Sequence, residues 1–285
     1  MISLINRNLK LFFSSKSKVF FSLLGALISF VLYLVFLKQN MVTSWVTLKD
    51  AHVLLDQWLI GGTLTVTAIT TTGSALGQMV KDREGSRLSD LILTDLSYNK
   101  IHLSYLFSAW IIGMLMQIAM FIVMQLYFQT QDSLPFDTNI ILPVLGIMAL
   151  SSLVWSAFNM VLFTLVKSVD TVGHINSIIS AASGFFAGVY MPLGVLPTFA
   201  QNLMKLTPAP YNAALFRQIL MKKQINSDFH NLPNYSLLKF KQNLGIVVET
   251  NFSNDLKILL WSFLILLVLI LVLYRYNRKI VINKI

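Results

Sequence analysis

The stretch WLIGGTLTVTAITTTGSALGQMV, residues 58–80, contains no Asp, Glu, Lys or Arg, and it gives way at once to KDREGSRLSDLILTDLSYNK, residues 81–100, which carries both signs of charge. A run of that length can cross a hydrocarbon core of about 30 Å as one helix. Working outward, five further uncharged runs occupy residues 19–37, 102–128, 140–166, 172–191 and 258–274. Lipid offers the backbone no hydrogen-bond partners, so a span is a helix or a strand of a closed barrel, and unbroken apolar runs lack the barrel's alternation. The expectation is an all-α polytopic membrane protein, one transmembrane domain over residues 1–285 with six transmembrane helices. Composition agrees, with 55% hydrophobic against 12% charged residues and a mean hydropathy of +0.69.

Because none of the six runs holds an Asp, Glu, Lys or Arg, the sequence offers no permanently charged side chain at membrane depth for a coupling proton or sodium ion to neutralise or balance. If the protein moves a solute, its energy is expected to arrive through a surface outside the membrane, and residues 81–100 are the best candidate for that surface.

Orientation follows from the positive flanks. Arg7, Lys10, Lys16 and Lys18 precede the first run, and Lys81, Arg83, Arg87 and Lys100 lie between the second and third. Lys167 lies between the fourth and fifth, and Arg275, Arg278, Lys279 and Lys284 follow the sixth. The two short loops on the other side hold only Lys38 and Lys49, so both termini are expected in the cytoplasm of a multi-pass plasma-membrane protein. The net charge of +10 is then a topology signal and a collar facing the phospholipid bilayer, with no basic stripe suited to nucleic acid. The first run is longer than a signal-peptide core and lacks a small-x-small cleavage site, which reads as a retained span.

Chemistry is otherwise sparse. The absence of cysteine excludes disulfides, thiol catalysis and thiolate metal sites, and His52, His102, His174 and His230 lack ligand spacing. No phosphate loop, nucleophile elbow or H-E-x-x-H motif occurs. The chain is expected to be no enzyme and to hold no catalytic, metal or cofactor site of its own.

Residues 1–17 place Ile2, Ile5, Leu9, Phe12 and Phe13 at helical spacing, with Asn6, Arg7, Lys10 and Ser14 elsewhere around the wheel. That pattern suits a helix lying in the membrane surface, in preference to an unstructured basic flank. Within residues 81–100, Leu88, Leu91, Ile92 and Leu96 make a short amphipathic helix beside Arg83, Glu84, Arg87 and Asp90. Pattern alone allows two readings of it: a helix that docks on a soluble partner, or a solvated turn.

The run Arg83-Glu84-Gly85-Ser86-Arg87-Leu88-Ser89-Asp90-Leu91-Ile92-Leu93-Thr94 resembles the cytoplasmic segment of type-2 ABC transporter permeases, although Asp95 stands where that family usually has proline. A second match, Met191-Pro192-Leu193, Leu196-Pro197, then Pro208 to Tyr211 and Arg217, resembles the family's Pro-Leu, Leu-Pro and Asn-Pro motifs with a following Tyr and Arg. The resemblance implies that Arg83, Glu84, Gly85, Arg87, Leu88, Asp90, Leu91 and Ile92 form a coupling helix that inserts into a separate ATP-binding subunit. It also implies two copies of that ATPase, holding the ATP and Mg, and a second permease, identical or homologous.

Residues 192–221 have a reading of their own. Between Pro197 and Pro208, and from Tyr211 to Met221, there is room for about ten helical residues, roughly 15 Å of rise, half a crossing. These pieces are expected to return to the side they left as a re-entrant hairpin, an element that the resemblance places above the exit of the path. Residues 222–257 are longer than small family members carry, enough for an outer cap or a loop.

Polar residues inside the runs form stripes. Thr63, Thr67, Thr70, Ser74 and Gly77 step along the second run, and Asn176, Ser180 and Ser183 along the fifth. Such stripes either pack helices closely or wall a substrate path. The resemblance implies that the second and fifth spans of two permeases face each other across the path. Asn159 in the fourth run and Phe185 and Phe186 in the fifth are further candidates, for the path or for helix packing. The expected function is the permease subunit of an ATP-driven exporter of an apolar or amphipathic cargo, such as a drug, hydrophobic peptide or lipid-linked molecule. An ion-coupled carrier, and a non-transporting sensor or immunity protein on the same scaffold, are the alternatives.

Overall fold

The computed structural model describes residues 1–44, 50–85, 87–93, 96–229, 234–249 and 251–282, with the side chains of 44, 234–236 and 274–282 left aside. Lys49, Ser86, Thr94, Asp95, His230 and Lys284 lie outside the described residues, as do the side chains of Arg275, Arg278 and Lys279. Every regular element among the described residues is helical.

The organising element is α4, Ala51–Glu84, whose most apolar window is wholly buried inside the protein. At 34 residues it is roughly 51 Å long. Around it stand α2 (Lys16–Leu32), α6 (Tyr98–Asp132), α7 (Ile141–Thr164), α8 (Val169–Phe186) and α10 (Ala209–Leu220). A helix surrounded on all sides must hide its polar groups, and most of the α4 threonines do so locally. Thr65, Thr67, Thr71 and Thr72 each donate a hydroxyl to the carbonyl four residues back. Small residues then admit neighbours at short range: a methyl built on Gly73 would lie 2.6 Å from Asn176 Oδ1 of α8, and one on Gly62 would lie 2.5 Å from Val189 Cγ2.

Among the described residues, five helices are long and apolar enough to cross a membrane: Lys16–Thr43, Ala51–Glu84, Tyr98–Asp132, Thr138–Thr164 and Phe252–Leu273. The last lies within α13 (Phe252–Ile282), and the first combines α2 with a π-helical segment, Tyr33–Leu37, and α3 (Lys38–Ser44). The expected fifth run, residues 172–191, is the departure. It forms α8, eighteen residues long and interrupted by His174, Asn176, Ser177, Ser180 and Ser183, and the chain leaves the helix at Ala187. Even so, α8 runs beside α4 from the Glu84–Val169 contact past Gly73 and Asn176, and Val189, just beyond its end, reaches Gly62.

The helices also outrun the uncharged runs, and two carboxylates just outside the second run are buried in the bundle. Helix α4 carries wholly buried Asp56 and Asp82 near its two ends, which serve below to name the ends of the bundle. At the Asp56 end, Lys38 lies 3.1 Å from Asp56 and 2.6 Å from Asp132, and Tyr33 donates to Asp56 at 3.0 Å. The wider π turn sits between Tyr33 and Lys38 and brings both to one carboxylate, a use typical of such segments.

Helix α1, Ile2–Phe13, lies against α6 at the Asp82 end and is separated from α2 by Ser14 and Ser15. Its buried side is Leu4, Asn8 and Phe12, while Ile2 and Phe13 of the expected apolar stripe are exposed. The helix thus presents one side to the bundle and a separate apolar side outward, as an interfacial helix can.

The prolines act as expected on helix length. Residues 193–220 contain a short 3-10 turn, α9 (Thr198–Lys205) and α10, all at the Asp56 end. Helix α10 is buried among α4, α7 and α13, whereas Phe199, Leu203 and Leu206 on and beside α9 are exposed. Next come α11 (Lys222–Asp228) and α12 (Asn234–Asn243), followed by a turn at Leu244–Gly245 that reaches into the core.

Candidate functional site: a groove and a coupling end

Two places on α4 gather the candidate residues. The first is a groove of about 930 Å³ between α2 and α8, floored by α4. Thr70, Ser74, Asn176, Ser180 and Phe185 line it, joined by Lys18, Phe21, Leu24, Ile28 and Tyr190. Helices α2, α4 and α8 approach closely at its floor: a methyl on Gly25 would lie 3.3 Å from Thr70 Cγ2 and 3.6 Å from the Ser180 carbonyl. Thr70 donates its hydroxyl to the Ser22 carbonyl of α2 at 2.7 Å, which ties two walls together.

The other five path candidates stand elsewhere. Thr63 and Thr67 are wholly buried inside the bundle. Asn159 is buried on α7, where Nδ2 donates to the Ile69 carbonyl and to Thr72 Oγ1 of α4. Ser183 donates to the Ser180 carbonyl in its own helix, and Phe186 packs against apolar clusters beside Trp155 and Tyr211. Asn159 and Phe186 therefore join helices, while Thr63, Thr67 and Ser183 are buried within the bundle. Helical stepping located the stripes, but whether a stripe faces a groove depends on which helix stands opposite.

The second place is the Asp82 end. Helix α5, Arg87–Ile92, follows α4 after a short turn at Gly85. Leu88, Leu91, Ile92 and Leu96 are half-buried against the bundle, so the apolar stripe of the segment faces inward. The outward face consists of Arg87, Ser89, Asp90 and Leu93, the last 86% exposed. Arg83 is turned inward as well: it donates to the carbonyls of Phe163, Thr164 and Val166, the unsatisfied end of α7. Glu84 accepts the Val169 backbone N–H at 3.0 Å, at the start of α8, where a carboxylate also suits the helix dipole. The last turn of α4 thereby holds the α7–α8 connection in one hand and α5 in the other.

Sequence reasoning missed the partner of Asp82. Arg7 of α1 meets its carboxylate with two hydrogen bonds, at 2.6 and 2.9 Å, while Tyr105 and Gln78 donate to the same oxygens at 2.6 and 2.8 Å. The bond to Asp82 is the chief reason the Arg7 guanidinium is held above its ordinary pKa. The sequence marked Arg217 as the end of a motif without showing its surroundings. That guanidinium, 2% exposed, donates to the carbonyls of Trp58, Leu244, Gly245, Ala187 and Gly188, and lies 4.5 Å from the Trp58 ring centroid. Gly188 and Gly245 adopt positive φ, which turns their carbonyls toward it.

The bundle thus joins a buried central helix, a side groove and, at one end, a short helix with a charged outward face. Residues 53–275 match the ABC-2 family transporter protein model, and the chain belongs to that family. No match was found among curated proteins.

Proposed function

We propose that this transporter subunit is the permease of an ATP-driven exporter whose cargo, an amphipathic molecule such as a drug, hydrophobic peptide or lipid-linked compound, enters the groove between α2 and α8. The Asp82 end faces the cytoplasm, and α8 serves as a sixth crossing. Two permeases, identical or homologous, work with two copies of a separate ATPase, which binds the outward face of α5.

The observation that carries this reading is the continuity of α4. Its last turn bears α5 and grips the α7–α8 connection through Arg83 and Glu84, while its middle, at Thr70 and Ser74, floors the groove. A load applied at α5 therefore reaches the groove along one rigid helix and, through Glu84, along α8. An ion-coupled carrier is favoured by one observation, the buried Asp56. That carboxylate is already met by Lys38 and Tyr33, and Lys38 also pairs with Asp132, which gives it a structural role between the π-helical segment, α3, α4 and α6.

Inverted vesicles containing the permease and its ATPase test the reading. Uptake of a labelled amphiphile is expected to require ATP hydrolysis and to persist when the proton gradient is collapsed. Uptake that follows the gradient and ignores ATP rejects it.

A further inference from the structure

The groove is not uniformly apolar. Toward the Asp82 end it continues into a recess of about 360 Å³ that shares Lys18, Ser74 and Asn176 with it and adds Gln78 and Lys81. None of the residues lining either space is Asp or Glu. Lys18 is half-buried, with its ammonium 5.4 Å from the Phe12 ring centroid, and Lys81 is exposed. Neither makes an ion pair among the described residues. Asp82, the nearest carboxylate in sequence, is already neutralised by Arg7. Two cations thus flank amide and hydroxyl donors at the mouth, with positive charge left over.

Above the mouth the wall changes character. Phe21, Leu24, Ile28 and Leu32 of α2 and Phe185 of α8 face the space. Leu32 stands fourteen residues beyond Lys18, roughly 21 Å along the helix, against roughly 15 Å of hydrocarbon in one leaflet. One cavity therefore offers an anion site at the level of the headgroups and an apolar wall as deep as an acyl tail.

We infer that this groove binds an anionic amphiphile, with a phosphate-bearing headgroup between Lys18 and Lys81 and its tail along the α2–α8 wall. The inference rests on the transport reading of the groove and narrows its ligand to a chemical class. The ligand enters sideways from the leaflet at the Asp82 end, since the groove opens between two helices. Lys18, which the sequence places on the flank of the first span, lines this groove.

The test uses the complex of permease and ATPase in detergent, with NBD-labelled phosphatidic acid and phosphatidylcholine of matched tails as probes. Wild type is expected to bind the phosphatidic acid more tightly, and Lys18→Gln with Lys81→Gln to weaken that binding roughly tenfold while leaving phosphatidylcholine unchanged. The charge-preserving pair Lys18→Arg and Lys81→Arg is expected to retain the preference, which separates charge from folding. Equal affinity for the two lipids in wild type, or an undiminished preference in the Gln pair, overturns the inference. Adding ATP to the reconstituted complex distinguishes the sources of the ligand. Movement of the anionic probe between leaflets makes it cargo, whereas preferential binding without movement makes it a resident lipid, upholding the site while the export reading of the groove fails.

Discussion

Arg7 Nη1 lies 2.6 Å from Asp82 Oδ2, joining the surface helix α1 to the last turn of α4 across seventy-five residues of sequence. Asp82 is wholly buried, and the next two residues, Arg83 and Glu84, hold the α7–α8 connection. The pair therefore anchors the end of the bundle from which α5 projects.

Removing the carboxylate strands Arg7, Tyr105 and Gln78 together. Asp82→Asn is expected to destabilise the solubilised protein by about 2–3 kcal/mol, below the ~3–5 of a fully buried pair because the Arg7 side chain is 31% exposed. Denaturation midpoints check this, and a cycle with Arg7→Met isolates the coupling. Additive single effects count against the pair.

Arg83 and Glu84 are predicted to act on coupling more than on assembly. Glu84→Gln keeps the shape of the side chain and weakens its hold on the start of α8. ATP hydrolysis is expected to continue while transport per ATP falls, as measured in vesicles containing both subunits. Unchanged stoichiometry places the linkage elsewhere.

The outward face of α5 carries a separate prediction. Asp90 and Leu93 are exposed, so Asp90→Lys with Leu93→Asp is expected to abolish copurification of the ATPase without changing membrane insertion. Leu88 and Leu91 pack inward, and Ala there is expected to lower stability by about 1–2 kcal/mol, less than full core burial, with docking retained once the protein is folded. An intact complex in the Asp90–Leu93 variant moves the interface off this helix.

Arg217 ties the α4 start, the turn after α8 and the Leu244–Gly245 turn into one unit. Arg217→Lys loses the planar fork that serves five carbonyls and is expected to cost about 3 kcal/mol or more, read as a fall in denaturation midpoint. A midpoint like wild type's denies the pinning role.

Since the chain has no cysteine, orientation can be read directly. Ser89→Cys is expected to react with an impermeant maleimide only after permeabilisation, and Lys222→Cys in intact cells. The reverse pattern inverts the topology.

Much of the architecture was legible because hydrophobicity and proline act locally. The apolar runs located the long helices, the charged block held a short helix, and Pro197 and Pro208 limited the elements after α8. The charged ends of those helices were not legible, since Asp56, Asp82 and Arg217 acquire partners from residues far away in sequence. An uncharged run marks what lipid can touch; a helix buried in a bundle, such as α4, can extend past it with its charges paired inside. Five of the ten path candidates line the groove, and the rest lie in helix contacts, because a stripe's direction is fixed only by its neighbours. The spacing of the α5 leucines was legible, but not that Leu88 and Leu91 are half-buried against the bundle.

The most direct test is transport by purified components. Vesicles containing permease and ATPase are predicted to accumulate an amphiphile against its gradient only with hydrolysable ATP, and vesicles of permease alone to accumulate none under an imposed proton or sodium gradient. Uphill accumulation by the permease alone, without nucleotide, contradicts the account.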